Sequence, residues 1–430
     1  MTPWLLMAIP ILGSLLCLLA RASLHRMKSY ALFTTIVSFA VVIGLLWVRN
    51  VAFADFPFLL LLPVTAFLSL MGQSRHPRHR LPSIITLLLL GLGLGILTSQ
   101  EPARSYLLAM LLGVLCALLA RSRSDAMLET WRGLAAFGLG LGSVLLTLVL
   151  PSPASTVAGL VACATLLPLL PLHGGFVAAL TRLPGNLPAF TVMLLPLVGF
   201  HSLLKLLPTL TVPTLRTLAL LALVGACHGS LRAWIQPRPF FRLAYAGLAF
   251  YSLLWWFIAD SATVPAEATL FLLSTGLAMS GLMLAYYAIR ARYGDVDLRA
   301  LGGMAYPMPR FSTLLALLAL AALGMPPFGV YAGFVGMLLS PGFMPSGSLW
   351  LVLLVWLGAS WYFIELIQWP IFGRPRLNLI YEDLHRSEFA SLVIIVILLL
   401  ALGTAPSRLF QPNGATPTGS IAPQGGTWIR

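Results

Sequence analysis

Residues 81–98 read LPSIITLLLLGLGLGILT, a stretch without a single charged side chain. As a helix rising about 1.5 Å per residue, it would cover most of the roughly 30 Å of hydrocarbon in a bilayer. Comparable apolar stretches recur about fourteen times along the chain of 430 residues. The sequence therefore predicts an all-α, polytopic membrane protein with about fourteen transmembrane helices.

The composition agrees with this fold class. Hydrophobic residues make up 59% of the chain and charged residues only 9%, whereas soluble domains carry about 25% charge. A water-soluble fold is thereby excluded. The predicted spans are residues 4–20, 30–48, 56–71, 81–98, 106–120, 134–150, 156–172, 187–204, 215–231, 240–259, 266–289, 311–339, 349–372 and 389–402.

The net charge of +14 is concentrated in alternate loops. Cytoplasmic loops of membrane proteins carry an excess of Lys and Arg, so the alternation predicts a multi-pass protein of the inner (plasma) membrane with both termini on the non-cytoplasmic side. Nucleic-acid binding is not needed to explain the charge. The basic residues of the odd-numbered loops are Arg21, Arg26, Lys28, Arg75, Arg78, Arg80, Arg121, Arg123, Arg132, Arg182, Arg232, Arg238, Arg290, Arg292, Arg299, Arg310, Arg374, Arg376 and Arg386.

The sequence contains no recognisable site for a metal or a redox cofactor. Cys17, Cys116, Cys163 and Cys227 all fall within predicted helices and show no paired spacing. The sequence shows neither a dinucleotide-binding fingerprint nor a phosphate-binding loop in a credible strand and helix context, and the loops are too short for a redox domain. We therefore expect no catalytic site, metal or cofactor on this chain, so that any redox cofactors would lie on partner subunits.

Helix-breaking residues cluster in two regions of the predicted spans. One contains Pro168, Pro171 and Pro184, and the other contains Pro326 and Pro327. Interrupted helices at corresponding places in two halves indicate a transporter built from inverted repeats. The alternative is that these Pro and Gly residues serve only helix packing.

Several short motifs follow one another in an order that resembles a known family. Pro168, Pro171 and His173 match a Lys-x-Pro-x-x-Pro-x-His stretch in all but the Lys, and Pro184 matches the Pro of an Ala-Pro-Thr element. Further matches are Gly199, Lys205, Gly229, Ala233, Gln236, Ala244, Tyr245, Gly276, Leu277, Gly281, Leu282, Asp297, Leu298, Gly302, Gly303, Leu323, Gly324, Met325 and Pro326. The chain thus resembles the antiporter-like, proton-translocating membrane subunits of respiratory complex I, Mrp antiporters and membrane-bound hydrogenases, especially the M-subunit branch of complex I.

This resemblance covers roughly residues 82–373 and divides the chain into four parts. Residues 1–81 would hold the first three helices, and residues 82–373 the antiporter-like core. Residues 374–406 would form the last loop and the C-terminal helix. Residues 407–430 are rich in Pro, Gly, Thr and Gln, a composition typical of a disordered tail.

The chain departs from the family at the residues that the resemblance implies should move protons. The positions of the family's buried Lys, Glu and His correspond to Met110, Leu166, Leu197, Thr275 and Phe334. Uncharged side chains at these positions cannot carry a proton and favour a dry interior. The resemblance therefore predicts the fold more directly than the activity.

Five polar residues remain as candidates for a proton path or for the helix breaks. They are His173, His201, Lys205, His228 and Glu365. A lone carboxylate in an apolar span suggests function, but an ion pair with Arg of a neighbouring helix would also explain Glu365. Lys205, one turn from His201 on the same helix face, could instead extend to the headgroups, and His173 could bond exposed backbone.

Two functions remain open from the sequence. The chain could be a membrane subunit of an ion-translocating, redox-coupled complex resembling NADH:quinone oxidoreductase, either conducting or purely structural. Its partners would then be other membrane subunits and a redox-active peripheral arm. Alternatively, it could be a secondary cation or proton transporter, or the membrane partner in inorganic-carbon uptake.

Overall fold

A computed structural model describes residues 3–19, 24–49, 56–73, 80–122, 127–261, 264–295, 297–340, 347–374 and 381–404; the tail predicted at 407–430 lies outside these ranges. Within them the chain forms sixteen α-helices and no β-strand. The helices are α1 (Pro3–Leu19), α2 (Leu24–Arg49), α3 (Phe56–Met71), α4 (Arg80–Thr98), α5 (Ala103–Arg121), α6 (Met127–Thr147), α7 (Ala154–Leu166), α8 (Gly174–Arg182), α9 (Leu187–Leu206), α10 (Val212–Ile235), α11 (Pro239–Ser261), α12 (Ala266–Tyr293), α13 (Pro309–Leu323), α14 (Gly329–Leu338), α15 (Leu349–Phe372) and α16 (Arg386–Thr404).

The prediction of an all-α, polytopic membrane fold is confirmed. Among the described residues, nine helices are long and apolar enough to cross a membrane, and five more are apolar but shorter, with 10–17 residues. Some predicted bounds match closely: α3 covers the whole predicted span of residues 56–71, and α4 begins one residue before the predicted span of residues 81–98. Uninterrupted apolar runs therefore form the helices where they were expected.

Two of the predicted spans contain a helix break. The span expected at 156–172 ends as a helix at Leu166, and the chain becomes helical again at Gly174. The span expected at 311–339 is interrupted between Leu323 and Gly329. Gly324 adopts a left-handed conformation there, with φ of +81°, which a residue without Cβ accepts easily. The following prolines lack the N–H that would continue the helix.

The structure differs from the prediction at α8, which was expected to be part of a loop. Nine residues beginning with Gly-Gly give no long apolar signal, yet Phe176 to Leu180 are buried. The glycines allow α8 to lie against α6: a Cβ on Gly175 would stand 2.7 Å from the Phe137 ring. Close packing against α6 thus stabilises a helix that is too short to be recognised from the sequence.

The core consists of two units with the same pattern of helix contacts. In the unit α4–α9, α4 contacts α9, α6 contacts both parts of the broken helix, and α7 contacts α9. In the unit α10–α15, α10 contacts α15, α12 contacts both parts of its broken helix, and α13 contacts α15. When each broken helix is counted as one span, each unit has five spans. An odd number of spans would make the second unit run inverted relative to the first. The predicted inverted repeat with broken helices is therefore confirmed, while the side of the termini stays a prediction.

Candidate functional site

Glu365, the isolated carboxylate of the thirteenth predicted span, forms an ion pair. It lies on α15, and its Oε2 accepts a hydrogen bond of 2.6 Å from Nη1 of Arg242 on α11. The side chains of Arg242 and Glu365 are only 6% and 17% exposed. A close pair of opposite charges largely cancels the field that either would create in a poorly hydrated interior. Glu365 thus has an Arg partner on a neighbouring helix, while its role stays a prediction.

Arg242 also joins three helices through backbone carbonyl groups. Its Nε and Nη2 atoms donate to the carbonyls of Gln236 and Trp234 at the end of α10, at 3.0 and 3.3 Å. Its Nη1 also donates to the carbonyl of Tyr362 on α15, at 3.4 Å. A guanidinium with several donors in a fixed geometry suits this role. The position of Arg242 inside a predicted apolar span was a signal that could have identified it.

His173 and His228 come together although 55 residues separate them in the sequence. His173 lies just before α8, and His228 lies on α10; their ring centroids are 5.5 Å apart. The ring of Tyr245 on α11 completes the cluster, at 6.4 Å from His173 and 6.2 Å from His228. The guanidinium of Arg232 lies 5.5 Å from the centre of the Tyr245 ring. This His–Tyr cluster holds α10 and α11 against the break between α7 and α8.

His201 and Lys205 occupy different environments although both lie on α9. His201 is buried, with 2% of its surface exposed, and its ring meets Phe58 on α3 at a centroid distance of 6.2 Å. Lys205 is exposed and lines a cavity beside α5, α6 and α7. These two candidates therefore do not share one environment.

Pro168 and Pro171 lie between α7 and α8, and Pro326 and Pro327 lie between α13 and α14. Pro184 instead lies in the connection between α8 and α9. The prolines therefore interrupt two helices and mark one turn.

Two further ion pairs that join described helices were not among the candidates. Arg292 on α12 binds Glu388 on α16 at 2.6 Å, with the two side chains 10% and 2% exposed. Arg182 on α8 binds Glu129 on α6 at 2.9 Å. Both pairs join the ends of neighbouring helices, so their arrangement favours a structural role.

Residues that could bind a metal do not cluster within the described ranges. The described residues contain no group of three or more His, Cys, Asp or Glu side chains with suitable geometry. The cysteines of α1, α5, α7 and α10 are free thiols.

Sequence comparisons find NAD(P)H-quinone oxidoreductase chains from two Synechococcus strains. The chain is 25% identical over 283 residues to NAD(P)H-quinone oxidoreductase chain 4 1 of Synechococcus sp. strain JA-3-3Ab, covering 62% of this chain and 54% of the relative. It is 25% identical over 281 residues to the protein of the same name from strain JA-2-3B'a(2-13), covering 62% of this chain and 53% of the relative. The chain thus spans about half the length of the curated relatives it matches. No protein-family model matches it.

Solved structures share the fold over nearly the whole chain. A chain of respiratory complex I from Thermus thermophilus with bound NADH superposes with a TM-score of 0.78 and 18% identity, covering 95% of this chain and 96% of that one. A chain of the same complex with bound aureothin superposes with a TM-score of 0.73 and 21% identity, covering 95% of this chain and 98% of that one. A chain of the archaeal membrane-bound sulfane sulfur reductase superposes with a TM-score of 0.81 and 16% identity, covering 93% of this chain and 76% of that one.

This chain is similar to chain 4 of NAD(P)H-quinone oxidoreductase over 283 residues. It is a multi-pass membrane protein with the fold of complex I membrane subunits. The resemblance expected from the sequence motifs is therefore confirmed.

Four of the five positions where the resemblance implies Lys, Glu or His are buried. Leu166, Leu197, Thr275 and Phe334 are at most 5% exposed, whereas Met110 is 54% exposed. Phe334 stacks on Trp356 of α15, with a centroid distance of 3.8 Å and an interplanar angle of 10°. Leucine and stacked aromatic rings offer no proton acceptor, so the interior of this chain lacks titratable groups at these positions.

Proposed function

We propose that this chain is a membrane subunit of a redox-coupled, ion-translocating complex and that it does not conduct protons by itself. The proposal rests on one observation: the chain has the fold of a complex I chain but lacks charged side chains at several buried positions where the family resemblance implies them. A complex I chain superposes on 95% of this chain, while Leu166, Leu197 and Phe334 stand where buried charged residues are expected.

The remaining buried charges support the second part of the proposal. A proton path through a membrane needs side chains that can gain and lose a proton at successive positions. Glu365 is bound to Arg242 at 2.6 Å, and Glu388 is bound to Arg292 at 2.6 Å. Because each pair is fixed by additional hydrogen bonds, these groups favour helix packing over proton transfer.

In this proposal, other membrane subunits flank the chain and a peripheral redox arm carries the cofactors. The matched structures are respiratory complex I and an archaeal respiratory membrane complex, which supports this arrangement. The chain would lie in the inner (plasma) membrane and supply part of the membrane arm.

Purified protein in liposomes is expected to show proton flux equal to that of empty liposomes under an imposed pH gradient. A pH-sensitive dye inside the liposomes measures the flux, and a protonophore added at the end verifies the gradient. The Glu365→Gln and His173→Gln variants are expected to give the same low flux. Rapid, saturable flux in the unmodified chain that Glu365→Gln abolishes would contradict the proposal.

A further inference from the structure

A cavity of about 560 Å³ opens among α5, α6, α7 and α9. Its volume lies within the roughly 300–1,000 Å³ of small-molecule sites. Its floor is apolar, and its residues are at most 7% exposed: Leu108, Val144, Ala162 and Leu166. Leu166 is also a position where the family resemblance implies a lysine, so the leucine replaces a cation in the floor by an apolar side chain.

The rim of the cavity is positively charged. Arg104 and Lys205 line it together with Glu101, so two cations face one carboxylate. Arg104 Nε lies 3.5 Å from Glu101 Oε1, and this buried nitrogen has no hydrogen-bond partner among the described residues. The Glu101 carboxylate also accepts a hydrogen bond of 2.6 Å from Ser105. Across the described residues, the Lys205 ammonium has no salt-bridge partner.

Two helix N-termini add to the positive potential at this rim. α5 begins at Ala103 and α7 at Ala154, and neither has a side-chain hydrogen bond at its N-cap. Ser155 and Thr156 of the first turn of α7 line the cavity. In these first turns the N–H groups of Arg104 and Ser155 donate to the carbonyl groups of Gln100 and Pro151, at 3.0 and 3.1 Å. The positive end of each helix dipole still favours an anion, so helix ends and side chains attract the same kind of group.

We propose that this cavity binds an anionic phospholipid, with its phosphate at Arg104 and Lys205 and one acyl chain on the apolar floor. An apolar floor beneath a cationic rim matches an amphipathic anion better than a small soluble anion, which would leave the floor unoccupied. The lipid binds this chain without any partner subunit, so the site is independent of the proposed membership in a redox complex.

Native mass spectrometry of the delipidated full chain, titrated with dioleoylphosphatidylglycerol, tests this site. The double variant Arg104→Gln with Lys205→Gln is expected to bind this lipid roughly tenfold more weakly or worse, because it loses two charge-assisted contacts. Arg216→Gln, which removes an exposed cation near the start of α10 and outside the cavity lining, is the matched control and should bind normally. Arg104→Lys should retain most of the affinity.

A second variant tests the floor while the charges stay intact. Ala162→Phe fills the apolar part of the cavity and is expected to abolish phosphatidylglycerol binding, provided that its melting temperature stays near that of the unmodified chain. Inorganic phosphate should not displace the lipid at equal concentration. Unchanged lipid binding by both the double variant and Ala162→Phe would overturn the proposal. Displacement by inorganic phosphate would also overturn it, because it would identify a site for a free anion.

Discussion

Replacement of Glu365 by leucine is expected to lower the free energy of unfolding by about 3–5 kcal/mol, because it leaves the buried Arg242 guanidinium without its counter-charge. Only 6% of the Arg242 side chain is exposed, so water cannot readily replace the lost carboxylate. Titration of the protein from mild detergent into SDS, followed by circular dichroism, measures this change. Arg242→Met should be destabilising to a similar extent.

The double variant Arg242→Met with Glu365→Leu should recover most of the lost stability. Replacing both members of a buried pair by apolar residues is often close to neutral. The matched control is Arg238→Met: Arg238 pairs with Asp297 at 3.8 Å, but the two side chains are 53% and 55% exposed, so we expect a loss below about 1 kcal/mol. If the free energy of unfolding falls by the same small amount when either the Arg242–Glu365 pair or the Arg238–Asp297 pair is broken, Glu365 is hydrated and not buried against Arg242.

Replacement of Gly199 by alanine is expected to lower the free energy of unfolding by about 1–3 kcal/mol, the range for forcing an extra methyl group into a packed core. An added Cβ would stand 2.5 Å from the backbone nitrogen of Leu167, where α7 ends. Leu167 cannot easily retreat, because its N–H bonds to Cys163 and its carbonyl accepts from the Trp255 indole at 3.1 Å. The same SDS titration measures the loss.

The control for Gly199 is Gly142 on α6, which has no atom within 4 Å of an added Cβ. Gly142→Ala should be neutral or stabilising by up to about 1 kcal/mol, since alanine favours a helix over glycine. A loss of stability in Gly142→Ala as large as that in Gly199→Ala would mean that the close contact between α9 and the end of α7 is not the cause.

The sequence predicted the helical framework because long apolar runs are sufficient to identify spans. The run at 56–71 reads as a helix with the observed bounds. The short helix α8 escaped prediction because its nine residues are stabilised by tertiary packing of Gly174 and Gly175 on α6. The pattern of apolar residues within α8 does not indicate that contact with α6.

The candidate residues show the same division between local and tertiary information. An Arg partner for Glu365 could be anticipated from the cost of an unpaired charge, but Arg242 is 123 residues away, so only the fold identifies it. The proximity of His173 and His228 likewise depends on how α10 packs against the break after α7. The roles of these residues remain predictions.

Gentle extraction of the native membrane, purification of this chain and mass spectrometry of the associated proteins most directly test membership in a redox complex. The account predicts stoichiometric recovery of other membrane subunits together with iron–sulfur, flavin, hydrogenase or quinone-reductase subunits. Recovery of the chain alone, or only with a zinc-binding protein that hydrates carbon dioxide, would contradict it and favour a transporter or a partner in inorganic-carbon uptake.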